Sequence, residues 1–204
     1  MKAWMFRCSP GVGAVIALLA AGPAHATDAK ATKPVAASLS TCTAPALTQP
    51  FLSFGDLSWY AIAPGESYDD LTGSGWTLAG GARIATTKRY DGTTGDVLDL
   101  PTGAKAISPA MCVTNEYASA RTMMREVTGS AGVSMFVAYG SSTSDFDFAG
   151  TVRASGMQWS LSPVVSITPT GSTGWQFAWY MLVATGVTGE DQLYNFYVDP
   201  RMST

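Results

Sequence analysis

The chain carries one histidine, His25, and it falls in a segment that reads as a discarded leader. Without it the remaining chain has no imidazole, which excludes Ser-His-Asp and Cys-His catalysis and histidine metal sites. Among the fifteen acids, candidates for catalysis are Glu66, Glu116, Glu126, Asp69, Asp70, Asp145 and Asp147. Hydrolysis by paired carboxylates needs two of them about 5–10 Å apart with split pKa values. None stands in a motif specific for that chemistry, and Asp145-x-Asp147 lies in a Ser/Thr-rich stretch typical of a solvated turn. No phosphate-cradling glycine loop, Gly-x-Ser-x-Gly elbow or dinucleotide fingerprint occurs.

Aromatic and amide side chains are the other candidates. A ring face stacks on the C–H face of a pyranose while amides and charges bond its hydroxyls. Gln176 and Tyr180 share one side of an alternating segment, Asn195 and Tyr197 share one side of another, and Gln158 opposes Trp159. Arg121 and Arg125 lie four apart in the middle of the chain. If these segments share a sheet, Arg125, Gln158, Gln176, Tyr180, Asn195 and Tyr197 line a shallow groove; the alternative is an ordinary solvated sheet face. Trp76 follows a glycine loop and fits either a groove or a core. Trp159, Trp175 and Trp179 read as core, the last two on one side with Phe177 and Met181.

These side chains need elements to hold them. Lys2 and Arg7, the apolar run from Gly11 to Ala21 and the small residues Ala24 and Ala26 form a signal-peptide pattern over 1–26. The run is shorter than the roughly 20 residues of a membrane span. No later run suffices to cross a membrane, so the mature protein is expected to be secreted, periplasmic or on the cell exterior. Removing 26 residues from 204 leaves 178, enough for one domain with a core. Ten basic residues then face fifteen acidic ones, giving a formal charge of −5 and no electrostatic attraction to nucleic acid or anionic lipid.

Residues 27–41, rich in Ala, Thr, Ser and Lys, read as a flexible linker, and 42–204 as a single domain. Gly, Pro, Ser and Asp punctuate that domain too often for helices of ordinary length. Only 115–127 has helical character, and its second half reads as strand. In 133–139 and 175–183 the odd positions are apolar; in 194–199 the even ones are. Period two, in about ten short strands, argues for an all-β, two-layer antiparallel β-sandwich. Cys42 and Cys112 are an even pair and read as one disulfide in an oxidising compartment, or else as two buried thiols.

The stretches Phe51–Tyr60, Pro64–Tyr68, Gly75–Ala82, Ile107–Val113 and Tyr194–Pro200 resemble, in strand and turn order, the galactose-binding-like jelly-roll sandwiches. Those include many carbohydrate-binding modules and a group of exported bacterial proteins of that shape. The resemblance covers roughly 42–201 and implies a fold more than a ligand. It also implies a structural calcium near the first and last strands, with Asp56 and Asp199 as candidate ligands. The chain departs from the usual pattern at Ser58, where a further acid is expected. No other cofactor is required.

The expectation is therefore an exported, non-catalytic binding module for carbohydrate or a cell-envelope surface. The alternatives are a structural, self-associating envelope protein, or a histidine-free polysaccharide lyase or glycoside hydrolase.

Overall fold

The computed structural model describes residues 42–67, 71–129, 132–140, 143–167 and 174–200. The expected signal peptide and linker, with His25, lie outside them, as do Asp69 and Asp70.

Thirteen strands and one 3-10 turn, Leu52–Phe54, make up the described elements. The strands are β1 Ala61–Ile62, β2 Thr77–Ala79, β3 Arg83–Lys88, β4 Thr94–Pro101, β5 Lys105–Ile107, β6 Met111–Val113, β7 Tyr117–Gly129, β8 Gly132–Tyr139, β9 Asp147–Val152, β10 Ser160–Leu161, β11 Val165–Ser166, β12 Gln176–Thr185 and β13 Gly189–Pro200. The stretch with helical character is thus a turn at 115–116 followed by strand. No described helix is long and apolar enough to cross a membrane.

Two antiparallel sheets form the expected β-sandwich. The seven-stranded sheet runs β10-β7-β13-β4-β3, with β1 on β13 and β11 on β7. The six-stranded sheet runs β2-β5-β12-β8-β9, with β6 on β12. Because side chains alternate across a strand, each sheet gives one face to the shared core. From the six-stranded sheet come Val133, Met135, Val137, Ala178, Tyr180, Leu182 and Ala184. From the other come Leu98, Leu100, Ala120, Met124, Leu193, Phe196 and Val198. The Tyr180 and Phe196 rings meet across the layers, centroids 5.3 Å apart.

The phase of β12 is the reverse of the expected one. From Ala178 on, its even positions are buried and its odd positions half-buried. Both sides of this strand are apolar, so periodicity alone does not choose between them. Ala178, Tyr180, Leu182 and Ala184 fill the interlayer space, and Phe177, Trp179 and Met181 point outward. Trp175, expected in the core, is 46% exposed.

Strand β13 changes phase midway. Its register with β7 shifts between Tyr194 and Tyr197. Asn195 there has φ 57°, a left-handed conformation that short amide side chains tolerate. Leu193 and Phe196 consequently face the core while Tyr194 and Tyr197 face away from it.

Trp76 is core, 8% exposed, and its indole N–H donates to the Pro64 carbonyl at 3.0 Å. The Pro64–Gly65 turn lies against it closely. Gly65 has φ 82°, and a Cβ there would sit 2.3 Å from the Ser74 carbonyl oxygen. The Cys42–Cys112 disulfide forms as expected, with Cα atoms 5.5 Å apart.

Candidate functional site

The predicted groove residues do not meet. Gln176 and Tyr180 belong to the six-stranded sheet, whereas Arg125, Asn195 and Tyr197 belong to the seven-stranded one. Tyr180 is 2% exposed and points into the core, its hydroxyl without a hydrogen-bond partner; burial raises its pKa. The Gln176 amide nitrogen is likewise buried and unpartnered. Gln158 is exposed, between β9 and β10.

Asn195 and Tyr197 are buried beneath a strap. Residues 48–60 fold over the outer face of the seven-stranded sheet, closed by paired backbone bonds between Thr48 and Tyr60. Phe51, 1% exposed, packs edge-on against Tyr60 and Tyr197 at 5.1 and 5.3 Å. With Val97, Met123 and Tyr194 they form a second apolar cluster. Trp159 and Leu161 pack against this cluster rather than within the main core. Trp159 meets Tyr194 edge to face at 4.8 Å, and its N–H donates to the Lys88 carbonyl.

Asp56 pins the strap. Its carboxylate accepts from Arg121 Nη1, from the Tyr60 hydroxyl at 2.6 Å and from the Ser58 N–H at 3.0 Å. Burial pushes the Asp56 pKa up, but the bonds from Tyr60, Ser58 and Arg121 outweigh it and hold the group below the usual range. Arg121 also donates to the Ser162 carbonyl. Arg125 is equally committed, bonding Gln192 at 2.7 Å and Thr87 at 2.9 Å with its guanidinium over the Trp159 ring.

The Asp56 donor set does not fit calcium. Both its oxygens are engaged, one with a guanidinium, whose charge opposes a neighbouring cation. The Asp199 carboxylate is 3.5 Å from the Ser119 hydroxyl instead. No group of three or more His, Cys, Asp or Glu among the described residues is placed to hold a metal.

Three further acids, Asp99, Glu66 and Asp191, have raised pKa values, and both Asp191 carboxylate oxygens are buried without a hydrogen-bond partner. Asp99 is buried beside Arg83, which also bonds Glu190. Burial first, then the Glu190 carboxylate, raises the Asp99 pKa to about 6 against the pull of Arg83. Glu66 accepts the Phe196 N–H, freed by the β13 irregularity, at 2.9 Å. Its other oxygen is buried without a partner, and burial raises its pKa to about 8. Asp191 is buried, and burial followed by Glu126 raises its pKa to about 6.

The outer face of the six-stranded sheet is different in kind. One cross-strand row runs Thr77, Ile107, Met181, Phe136 and Phe148. Lys105, Val183, Ser134 and Thr151 form the next. Phe177 and Trp179 continue the apolar surface along β12, ring centroids 6.2 Å apart. Phe136 and Phe148 pack edge to face at 5.4 Å, with Phe148 62% exposed. Ser134 and Thr151 share a hydroxyl hydrogen bond. Sequence reasoning named the β12 aromatics but assigned them inward. No local signal separated the two sides, because the inward side carries Tyr180 and Leu182 beside Ala178 and Ala184.

No protein family and no curated protein matches the chain. Solved structures of similar architecture do exist. One holds the CBM22-1–GH10 modules of a Clostridium thermocellum endo-1,4-beta-D-xylanase complexed with xylohexaose. That likeness has 12% identity over 63% of this chain and TM-score 0.43, and spans only 26% of the other. Another is the CBM22-1 xylan-binding domain from Paenibacillus barcinonensis, with 13% identity, TM-score 0.42, and 77% and 97% of the two chains covered. A third is a family 6 carbohydrate-binding module from Clostridium cellulolyticum in complex with xylose, with 18% identity, TM-score 0.38, and 58% and 87% covered.

Proposed function

We propose that this chain is an exported, non-catalytic glycan-binding module, and that its binding surface is the outer face of the six-stranded sheet. One observation carries the reading: Phe136, Phe148, Phe177 and Trp179 lie together on the side of that sheet turned away from the core. Ring faces of this kind stack on pyranose rings, and Thr77, Lys105 and Thr151 supply hydroxyl and ammonium groups beside them. A non-catalytic role is supported by the acids, since Asp56, Glu66 and Asp99 are spent on holding strap, strand and sheet. Export is supported by the leader pattern in the sequence.

Affinity electrophoresis through a panel of neutral polysaccharides tests the reading. Retardation by one of them is expected, with Trp179→Ala binding about tenfold or more weakly at unchanged melting temperature. Failure of the folded protein to bind any, or full binding by the variant, overturns it.

The same face supports a second reading, self-association, because apolar side chains outnumber polar ones on it. Light scattering separates the two: a dimer that Trp179→Ala dissociates favours an interface between copies.

A further inference from the structure

Arg89 follows the last residue of β3 and begins the turn to β4, and its burial is unusual for a guanidinium. It is 8% exposed, and its Nε and Nη1 have no hydrogen-bond partner. Nη2 alone is used, donating to the Thr93 hydroxyl at 3.3 Å. The group has a built seat. It lies over the Tyr194 ring, 5.6 Å from the centroid, and against Gly95, where a Cβ would come within 2.5 Å of Cζ. Asp91 makes no hydrogen bond to it: that carboxylate accepts both the N–H and the hydroxyl of Thr93, and those bonds, with a longer-range contribution from Arg89, hold its pKa below the usual range.

Arg89 lines a cavity of about 50 Å³ between the strap and the β3–β4 turn, together with Ser53, Phe54, Tyr90, Asp91 and Asn195. A water-sized group needs on the order of 10–15 Å³ on this measure, so the space admits three or four such groups and no sugar ring. Tyr90, 53% exposed, forms the wall that reaches solvent, its ring centroid 4.8 Å from that of Phe54. A buried cation with idle donors is costly until an acceptor arrives, and the acceptor matching it in charge and size is a carboxylate.

We propose that this cavity receives the carboxylate of an acidic sugar, a uronate, whose ring remains outside against Tyr90. Arg89 supplies charge-assisted hydrogen bonds, and the paired aromatic rings favour a pyranose over an extended peptide. The site lies on the opposite sheet from the aromatic face and does not depend on it.

The test follows the Arg89 Nε–H resonance by NMR in the full chain during titration with D-glucuronate, D-glucose and acetate. Glucuronate is expected to shift it saturably, glucose not at all, and acetate only at much higher concentration. Arg89→Lys should weaken glucuronate binding about tenfold or more, with folding checked by circular dichroism. Gly95→Ala keeps the charge, displaces the guanidinium from its seat, and should weaken binding similarly. No shift with glucuronate, an equal shift with glucose, or unaltered affinity in Arg89→Lys overturns the site. An equal response to acetate overturns the sugar assignment. A chain that ignores neutral polysaccharides yet answers glucuronate keeps this inference and loses the one about the aromatic face.

Discussion

The two sheets share one core but treat their outer faces in opposite ways. The seven-stranded sheet places Tyr194, Tyr197 and Met123 outward and then roofs them with its own strap, so those rings serve stability. The six-stranded sheet places Phe136, Phe177 and Trp179 outward and leaves Phe148 exposed beside them. Residue type therefore does not decide whether an outward aromatic is covered or left open. What decides it is whether the chain elsewhere carries a segment to cover it and a pair such as Asp56–Arg121 to fasten that segment.

Truncation should separate the faces most sharply. Phe51→Ala, beneath the strap, is expected to cost about 3–5 kcal/mol in urea unfolding. Phe177→Ala, on the open face, should cost about 1 kcal/mol. Equal losses would break the comparison.

Asp56→Asn should cost less, about 1–3 kcal/mol, by removing the charge that fastens Arg121. It should also alter the acid limb. Because the folded pKa lies below the unfolded value of about 3.8, this carboxylate stabilises the fold above that pH. The contribution is lost as pH falls through the folded value, and the variant should lack that part of the acid decline.

Glu66 acts with the opposite sign. With a folded pKa of about 8 against 4.5 unfolded, the native state holds its proton longer. Its favourable contribution is complete below about pH 4.5 and fades as pH rises to about 8. Glu66→Gln should match the wild type at low pH and gain on it across that window, as thermal melts at stepped pH would register. Parallel profiles would remove Glu66 from the account.

The smallest effect expected is from a chelator. EDTA should leave the melting temperature in place, because Asp56 is already neutralised by Arg121. Several degrees of stabilisation by added calcium would overturn that reading of the strap.

The sandwich was legible in the sequence because turn residues and alternation recur throughout, and 133–139 gave the inward side correctly. In 175–183 both sides are apolar, so alternation existed without polarity to orient it. In 194–199 the inserted Asn195 shifted the phase, and Tyr194 could not be placed by counting. The groove failed for a related reason: nothing local says that β12 and β13 lie in different layers. The strap was invisible because Phe51, Phe54 and Tyr60 follow no period and find partners far along the chain, Phe51 and Tyr60 at Tyr197 and Phe54 at Tyr90.

Strand β13 lies in the interior of its sheet, flanked by β7 on one side and by β4 and β1 on the other. It is also made after every other strand of the sandwich. During synthesis β4 and β1 must wait for their neighbour, and the strap has no tyrosines to settle on. Folding should therefore complete only after the full ribbon has emerged, leaving β4 and β1 each with an unpaired edge until then.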